Sequence, residues 1–195
     1  MKKKLEFFYD YVSPYSYLAN SQIPKFQEVE VLYRPIFLGA VMQATKNSPP
    51  GNIPEKGKYL ISDIQLWAKH YGIPYQTNPI FPQNTLKALR LAIVARRFNC
   101  FEEIHQSLFH AMFVDNKDLS RSEVLVDLIK TNHFDHIQLI EDISNQDIKD
   151  ELKNNTEEAI SRGAFGVPTF FLDGEMFFGN DRIQFIEKIL SIGKQ

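Results

Sequence analysis

The sequence predicts an α/β fold in which a small sheet, built from the two ends of the chain, is interrupted by an all-helical insert. Three observations carry this reading. Short aromatic-rich apolar runs that read as buried strands sit near the start, at Leu5–Tyr9 and Val29–Phe37, and near the end, at Thr169–Leu172 and Glu175–Phe178. Between them the apolar residues recur at helical spacing and strand signals are scarce. Lastly, a serine–proline pair at 13–14 and an aspartate–glycine pair at 173–174 mark a helix start and a hairpin turn next to those runs.

Taken in order, Leu5–Tyr9 is short and apolar, hence a buried strand. Ser13 is a good helix cap and Pro14 suits the first helical position, so a helix is expected from there towards Ile23 and Phe26. Val29–Phe37 is β-branched at its start and reads as a second strand. Strand, helix and strand so close together form a βαβ unit, whose strands are parallel neighbours. Ser48-Pro49-Pro50-Gly51 reads as a turn or loop. Helices are then expected over Tyr59–Tyr71, Thr85–Phe98, Glu102–Val114, Ser122–Thr131, His136–Ile143 and Asn145–Arg162, with Ser120 or Ser122 as a cap and Gly163 as a stop. A strand at Thr169–Leu172, the Asp173-Gly174 turn, a partner strand at Glu175–Phe178 and a closing helix from Arg182, capped by Asn180-Asp181, complete the chain. This is the order of a thioredoxin-like domain, residues 1–40 and 160–195, split by a helical insertion over residues 41–159.

Composition narrows the function. The chain has 195 residues, 44% hydrophobic, with 16 phenylalanines, which excludes disorder and supplies a sizeable core. Net charge is −2, so there is no overall attraction to nucleic acid or an anionic membrane, and neither is expected as a partner. No run approaches the roughly 20 apolar residues of a membrane span. Glu6 and Asp10 interrupt what would be the apolar core of an export signal, so the expectation is a cytoplasmic protein. The single cysteine, Cys100, suits a reducing compartment. It also excludes an internal disulfide, a CxxC redox pair and a multi-cysteine zinc site.

Three constellations could carry chemistry. Ser13-Pro14-Tyr15-Ser16 opens a helix, whose unpaired N–H groups favour an anion such as a thiolate; Ser13 could equally be only a cap. Gly166-Val167-Pro168-Thr169 places a proline before a strand. Its peptide bond is either trans or cis, and a cis bond would turn backbone groups towards a ligand. Phe178-Gly179-Asn180-Asp181-Arg182 allows close backbone approach at Gly179 and offers a carboxylate at Asp181. That combination suits an amino-acid head group, or serves as an ordinary helix cap. His133 and His136 lack further ligands for zinc, His105 and His110 do not share a helix face, and Arg96-Arg97 is too short for a nucleic-acid patch. Cys100 reads as unreactive packing.

Together these residues resemble a known family. FYDYVSPYSYLA (Phe8–Ala19), YRPIFLGAV (Tyr33–Val41), PPGNIPEKGKYL (Pro49–Leu60), FPQNTLKALR (Phe81–Arg90) and GAFGVPTFFLDGEMFFGNDR (Gly163–Arg182) are similar to the 2-hydroxychromene-2-carboxylate isomerase family. That family is related to kappa-class glutathione transferases and to the DsbA-type disulfide oxidoreductases. The resemblance implies a thioredoxin fold with a helical insert, bound glutathione and a homodimer. It implies that Ser13, standing where the oxidoreductases have the first cysteine of CxxC, activates the glutathione thiol. It places Val167, before a cis Pro168, against the cysteinyl part of glutathione, and Phe178, Gly179, Asn180 and Asp181 around its γ-glutamyl end. It assigns Asn47, Lys56 and Asn84 to the neighbourhood of the substrate; Asn84 also reads as a helix cap. Tyr15 and Phe37 would line an apolar wall for an aromatic ring.

One departure is visible. Some isomerases of this family carry a lysine just after the second strand, where this chain has Phe37-Leu38-Gly39. The expected activity is glutathione-dependent isomerisation of an unsaturated aromatic 2-oxo acid, as used in the breakdown of aromatic compounds. A kappa-like transferase or peroxidase and a non-catalytic thioredoxin-fold binding protein are the alternatives.

Overall fold

A computed structural model describes residues 3–26 and 29–192. The chain ends meet in one sheet. Strands β1 (Lys3–Tyr9), β2 (Val29–Pro35), β3 (Thr169–Leu172) and β4 (Glu175–Phe178) lie in the order β2-β1-β3-β4. β1 and β2 are parallel, with Phe7 beside Tyr33, and joined by the crossover through α1 (Pro14–Asn20). β3 is antiparallel to both β1 and β4. The β3–β4 hairpin turns through Asp173 and Gly174, at φ +51° and +86°, the left-handed pair that matches strand twist.

Between the two halves run α2 (Leu38–Ala44), α3 (Pro54–Tyr71), α4 (Leu86–Arg97), α5 (Phe101–Phe113), α6 (Ser122–Thr131), α7 (His136–Asp142) and α8 (Gln146–Ser161); α9 (Ile183–Ile192) closes the chain. Strand periodicity sorts the aromatic residues onto two faces. Leu5, Phe7, Tyr9, Phe170 and Leu172 enter the main core, which continues through α1, α4, α5 and α9. The Phe7 and Phe170 rings stack at 4.9 Å. Phe8 and Phe171 point the other way and pack with Ile36, Val41, Ala159 and Ala164 beneath α2 and α8. Over that face Arg162 lies 3.7 Å from the Phe171 ring centre and donates two hydrogen bonds to Glu6. α4 is buried along most of its length, from Ala88 to Ala95, and its alanines let neighbouring helices approach closely. A smaller cluster of Leu18, Ile64 and Ala68 fastens α3 to α1.

His105 of α5 is fully enclosed by Tyr9, Tyr33, Phe101 and Phe109. Its Nε2 donates to Asn20 Oδ1 (2.9 Å) and its Nδ1 accepts from the Tyr11 hydroxyl (2.8 Å). Burial, reinforced by Arg96, pushes its pKa down to about 3, so the ring is neutral in the native protein. Cys100 is buried and unpaired, as packing requires.

Several element boundaries differ from the sequence-based expectation. The first helix ends at Asn20. The Ser21 hydroxyl bonds the Leu18 carbonyl there, and Ile23–Lys25 forms a separate 3-10 turn around Pro24, which has no N–H to give. The second strand stops at Pro35, because Phe37 precedes α2 and donates its N–H to Thr156 Oγ1 (3.1 Å). α2 itself was not anticipated; its short run carries no capping side chain. α3 begins at Pro54 rather than Tyr59, absorbing Gly57. Neither serine caps α6: Ser120 bonds Asp118, and Ser122 is the first helical residue. A 3-10 turn, Asn180–Arg182, precedes α9.

Candidate active site

The parallel β1–α1–β2 unit delivers Ser13 to the end of the sheet. Its backbone is extended (φ −90°, ψ 114°), which suits a cap, and its Oγ accepts the Ser16 N–H at 3.2 Å. Its hydroxyl points at the Val167 carbonyl across 3.4 Å, longer than an ordinary O–H···O bond, so it is free to turn to a better acceptor. Among the described residues, the N–H groups of Tyr15 and Val167 have no acceptor in the protein. A hydroxyl and two N–H groups therefore lie close together where β1 ends and β3 begins.

The Val167–Pro168 bond is cis, resolving the alternative left open by the sequence. The Pro168 carbonyl accepts the Gly179 N–H at 3.0 Å, which ties this loop to the segment after β4. Asn180 is buried, and its carbonyl accepts from the Tyr71 hydroxyl at 3.2 Å. Asp181 is partly exposed and pairs with Arg182 at 2.6 Å. Phe178 packs against Phe165 with the rings tilted by 47° and their centres 4.4 Å apart, both more than a third exposed. Gly166 leaves room for that pair, since a Cβ there would lie 2.9 Å from the Phe178 ring.

Tyr15, two residues beyond Ser13, donates its hydroxyl to Asp63 of α3 at 2.6 Å; burial and this carboxylate push its pKa up, so it stays protonated. α3 thus leans on the site through Tyr15 and Tyr71. Asn47 donates to the Phe165 carbonyl (3.0 Å), bracing the loop before Val167. Phe37 is half-buried at the start of α2. Lys56 is exposed and lines a recess of about 380 Å³ with Pro50, Glu55, Tyr59 and Leu60, formed by the start of α3 rather than by the strand ends. Asn84 is exposed and its Oδ1 accepts the Leu86 N–H at 3.1 Å, so its side chain caps α4. Ser13, Val167, Pro168, Gly179 and Asn180 are therefore linked by contacts, with Asn47, Phe178 and Tyr15 at the rim; Lys56 and Asn84 stand outside that linkage.

Sequence reasoning passed over Asp10, Asp63, Tyr71 and Phe165. An acid directly after an apolar strand was the available signal for Asp10. Asp63 and Tyr71 are brought to the site by contacts distant in the chain, whereas Phe165 lies two residues before Val167 and only its pairing with Phe178 awaits the fold. Among the described residues there is no cluster of three or more metal-ligating side chains, and no helix is long and apolar enough to cross a membrane.

Gly179 provides a direct probe of the turn. Its φ is +100°, and a Cβ would sit 2.6 Å from Asp181 Oδ1. Gly179→Ala should cost about 1–3 kcal/mol and swing the Asp181 carboxylate away. Urea unfolding measures this, and an unshifted midpoint would mean that the turn adapts without strain.

A serine-capped helix facing a cis-proline loop, on a mixed sheet with a helical insertion, defines a thioredoxin-fold site. The sequence matches the DSBA-like thioredoxin domain over residues 4–191, and the chain belongs to that family. Within it, the chain is 30% identical to 2-hydroxychromene-2-carboxylate isomerase of Pseudomonas putida, covering 95% of this chain and 93% of the relative. It is 28% identical to human glutathione S-transferase kappa 1, covering 97% and 92%. The solved structure of a 2-hydroxychromene-2-carboxylate isomerase superimposes with a TM-score of 0.88 at 26% identity, covering 96% of this chain and 94% of the other. Each of these named relatives is an enzyme.

Proposed function

We propose that the protein is a glutathione-dependent isomerase whose nucleophile is the thiolate of bound glutathione, activated at Ser13. The observation that carries this reading is a disulfide-exchange type of site without its sulfur. Positions 13 and 16 are serines, and the one cysteine is buried elsewhere. Any sulfur chemistry here must use a ligand's thiol.

Glutathione fits the groups on offer. The Val167 N–H and carbonyl would pair with its cysteinyl unit as an added strand does. Asp181 would meet the γ-glutamyl ammonium and the Asn180 turn would hold its carboxylate. The Ser13 hydroxyl and the Tyr15 N–H would donate to the sulfur. A free thiol of pKa about 8.5 is only a few per cent ionised at neutral pH, and such donors favour the charged form. The thiolate would add to the conjugated carbon of an unsaturated 2-oxo acid, moving the π electrons onto the carbonyl oxygen. The former double bond then rotates, and collapse of the enolate expels the thiolate and restores the double bond in the other geometry. Glutathione is regenerated as a covalent catalyst.

A kappa-like transferase is the second reading. It is favoured by the apolar Phe37-Leu38-Gly39 stretch, which offers no cation for a substrate carboxylate. Lys56, at the start of α3, is the candidate cation for the first reading. A homodimer accompanies both.

Calorimetric titration with glutathione tests the shared premise: saturable binding at millimolar concentration or below is expected, and no binding defeats both readings. With an unsaturated aromatic 2-oxo acid, isomer interconversion with free thiol unchanged supports isomerisation. Loss of one thiol per product would replace it with transfer.

A further inference from the structure

Asp10 follows the last residue of β1 and is fully buried. Its carboxylate serves three segments at once. Oδ1 accepts from the Val12 N–H (3.0 Å) and from the Thr85 hydroxyl (2.6 Å), and Oδ2 accepts from the Leu38 N–H (2.9 Å). Its main-chain carbonyl accepts the Ser13 N–H at 3.1 Å. Val12 and Ser13 form the loop that presents the Ser13 hydroxyl. Leu38 opens α2 directly after Phe37, and Thr85 precedes α4 directly after Asn84. One side chain therefore spans the activating loop and two starting points of the insert.

Such a group is costly. Burial raises the Asp10 pKa above the ordinary carboxylate value, and its three donors pull it back only in part. Simple packing at a junction of three segments would be achieved at lower cost by an apolar side chain. What an apolar residue could not do is hold two main-chain N–H groups and a hydroxyl from different segments at fixed separations.

We propose that Asp10 is a positioning residue for the reaction: through Val12, Leu38 and Thr85 it sets the Ser13 loop in register with the α2 and α4 ends of the insert. The proposal rests on the glutathione reading for its functional readout. Its parts are separable. Thr85→Val removes one bond to Asp10 while keeping the side chain's shape, and Thr85→Ser keeps the hydroxyl. Asp10→Asn leaves one main-chain N–H, of Val12 or Leu38, facing an amide N–H.

The experiment compares these variants well below their melting temperatures, with folding checked by circular dichroism. Thr85→Val and Asp10→Asn should each weaken glutathione binding by about tenfold, because the loosened loop holds the binding arrangement only about a tenth of the time, and Thr85→Ser should stay within about twofold of the parent. Lower melting temperatures with glutathione affinity unchanged in Thr85→Val would make Asp10 a core acceptor only and overturn the proposal. If Asp10→Asn does not fold, the Thr85 pair decides. If the parent protein binds no glutathione, that result removes the glutathione reading, and a thiol placed at position 13 decides the positioning role. In Ser13→Cys, adding Thr85→Val should slow alkylation by iodoacetamide by at least about threefold, because the N–H contacts to that atom loosen. An unchanged rate overturns the proposal.

Discussion

Ser13→Ala should lower kcat/KM by roughly 10- to 100-fold and raise the apparent pKa of enzyme-bound glutathione by about 1–2 units. The magnitude follows from the bond removed. A hydrogen bond to a charged group contributes about 1.5–3 kcal/mol, and each 1.36 kcal/mol is a factor of ten in rate or one pKa unit. The long Ser13–Val167 contact means that little is lost within the protein when the hydroxyl turns to a sulfur. The same substitution removes the cap on the Ser16 N–H, at a cost of about 1 kcal/mol of stability. Two measurements separate these roles. Thiolate absorbance near 240 nm against pH reads the sulfur, and thermal melting reads the cap. A lower melting temperature with an unchanged thiolate titration would show Ser13 to be a cap and nothing more.

Acidification from pH 7 to about pH 4.5 should remove on the order of 2–3 kcal/mol of folding stability through His105 alone. The imidazole titrates near 6.5 in an unfolded chain and at about 3 in the folded protein. Between those values the unfolded state binds the proton and the native state does not. Stability from this group is therefore complete above pH 6.5 and falls steadily towards pH 3, with a ceiling of the order of 5 kcal/mol. The cause is structural: protonating Nδ1 would deprive the Tyr11 hydroxyl of its acceptor inside an aromatic cage. Asp10 acts in the opposite sense. Its folded pKa is raised, so it disfavours the native state as pH rises through its unfolded value near 3.8, and it offsets part of the loss at the acid end. Urea unfolding at pH 7 and pH 4.5 measures the difference. His105→Gln should flatten it, and a slope that survives this substitution would assign the effect to other groups.

Much of the scaffold was legible because local rules and tertiary demands agree. The aromatic alternation of Leu5–Tyr9, the Ser13-Pro14 start and the Asp173-Gly174 turn each admit few conformations, and the fold uses them as expected. Where the expectation failed, a distant residue had decided the matter. Phe37 leaves the strand because its N–H reaches Thr156 of α8. α2 forms although the residue before it has no capping side chain, because the distant Asp10 carboxylate accepts its first N–H.

The candidate site divides along the same line. The sequence by itself determined that no protein sulfur stands at positions 13 and 16, that a serine opens the first helix, and that a valine–proline pair and an asparagine–aspartate pair flank the final hairpin. These are matters of residue identity and short spacing. Only the tertiary structure decided that Val167–Pro168 is cis, that its carbonyl loop joins Gly179, and that Asn47 braces Phe165. It alone also brought Asp10, Tyr71 and Asp63 to the site, and left Asn84 capping α4. Those outcomes depend on hydrogen bonds between residues far apart in the chain, whose donors and acceptors meet only once the sheet has joined the two ends and the core has fixed the insert helices against it.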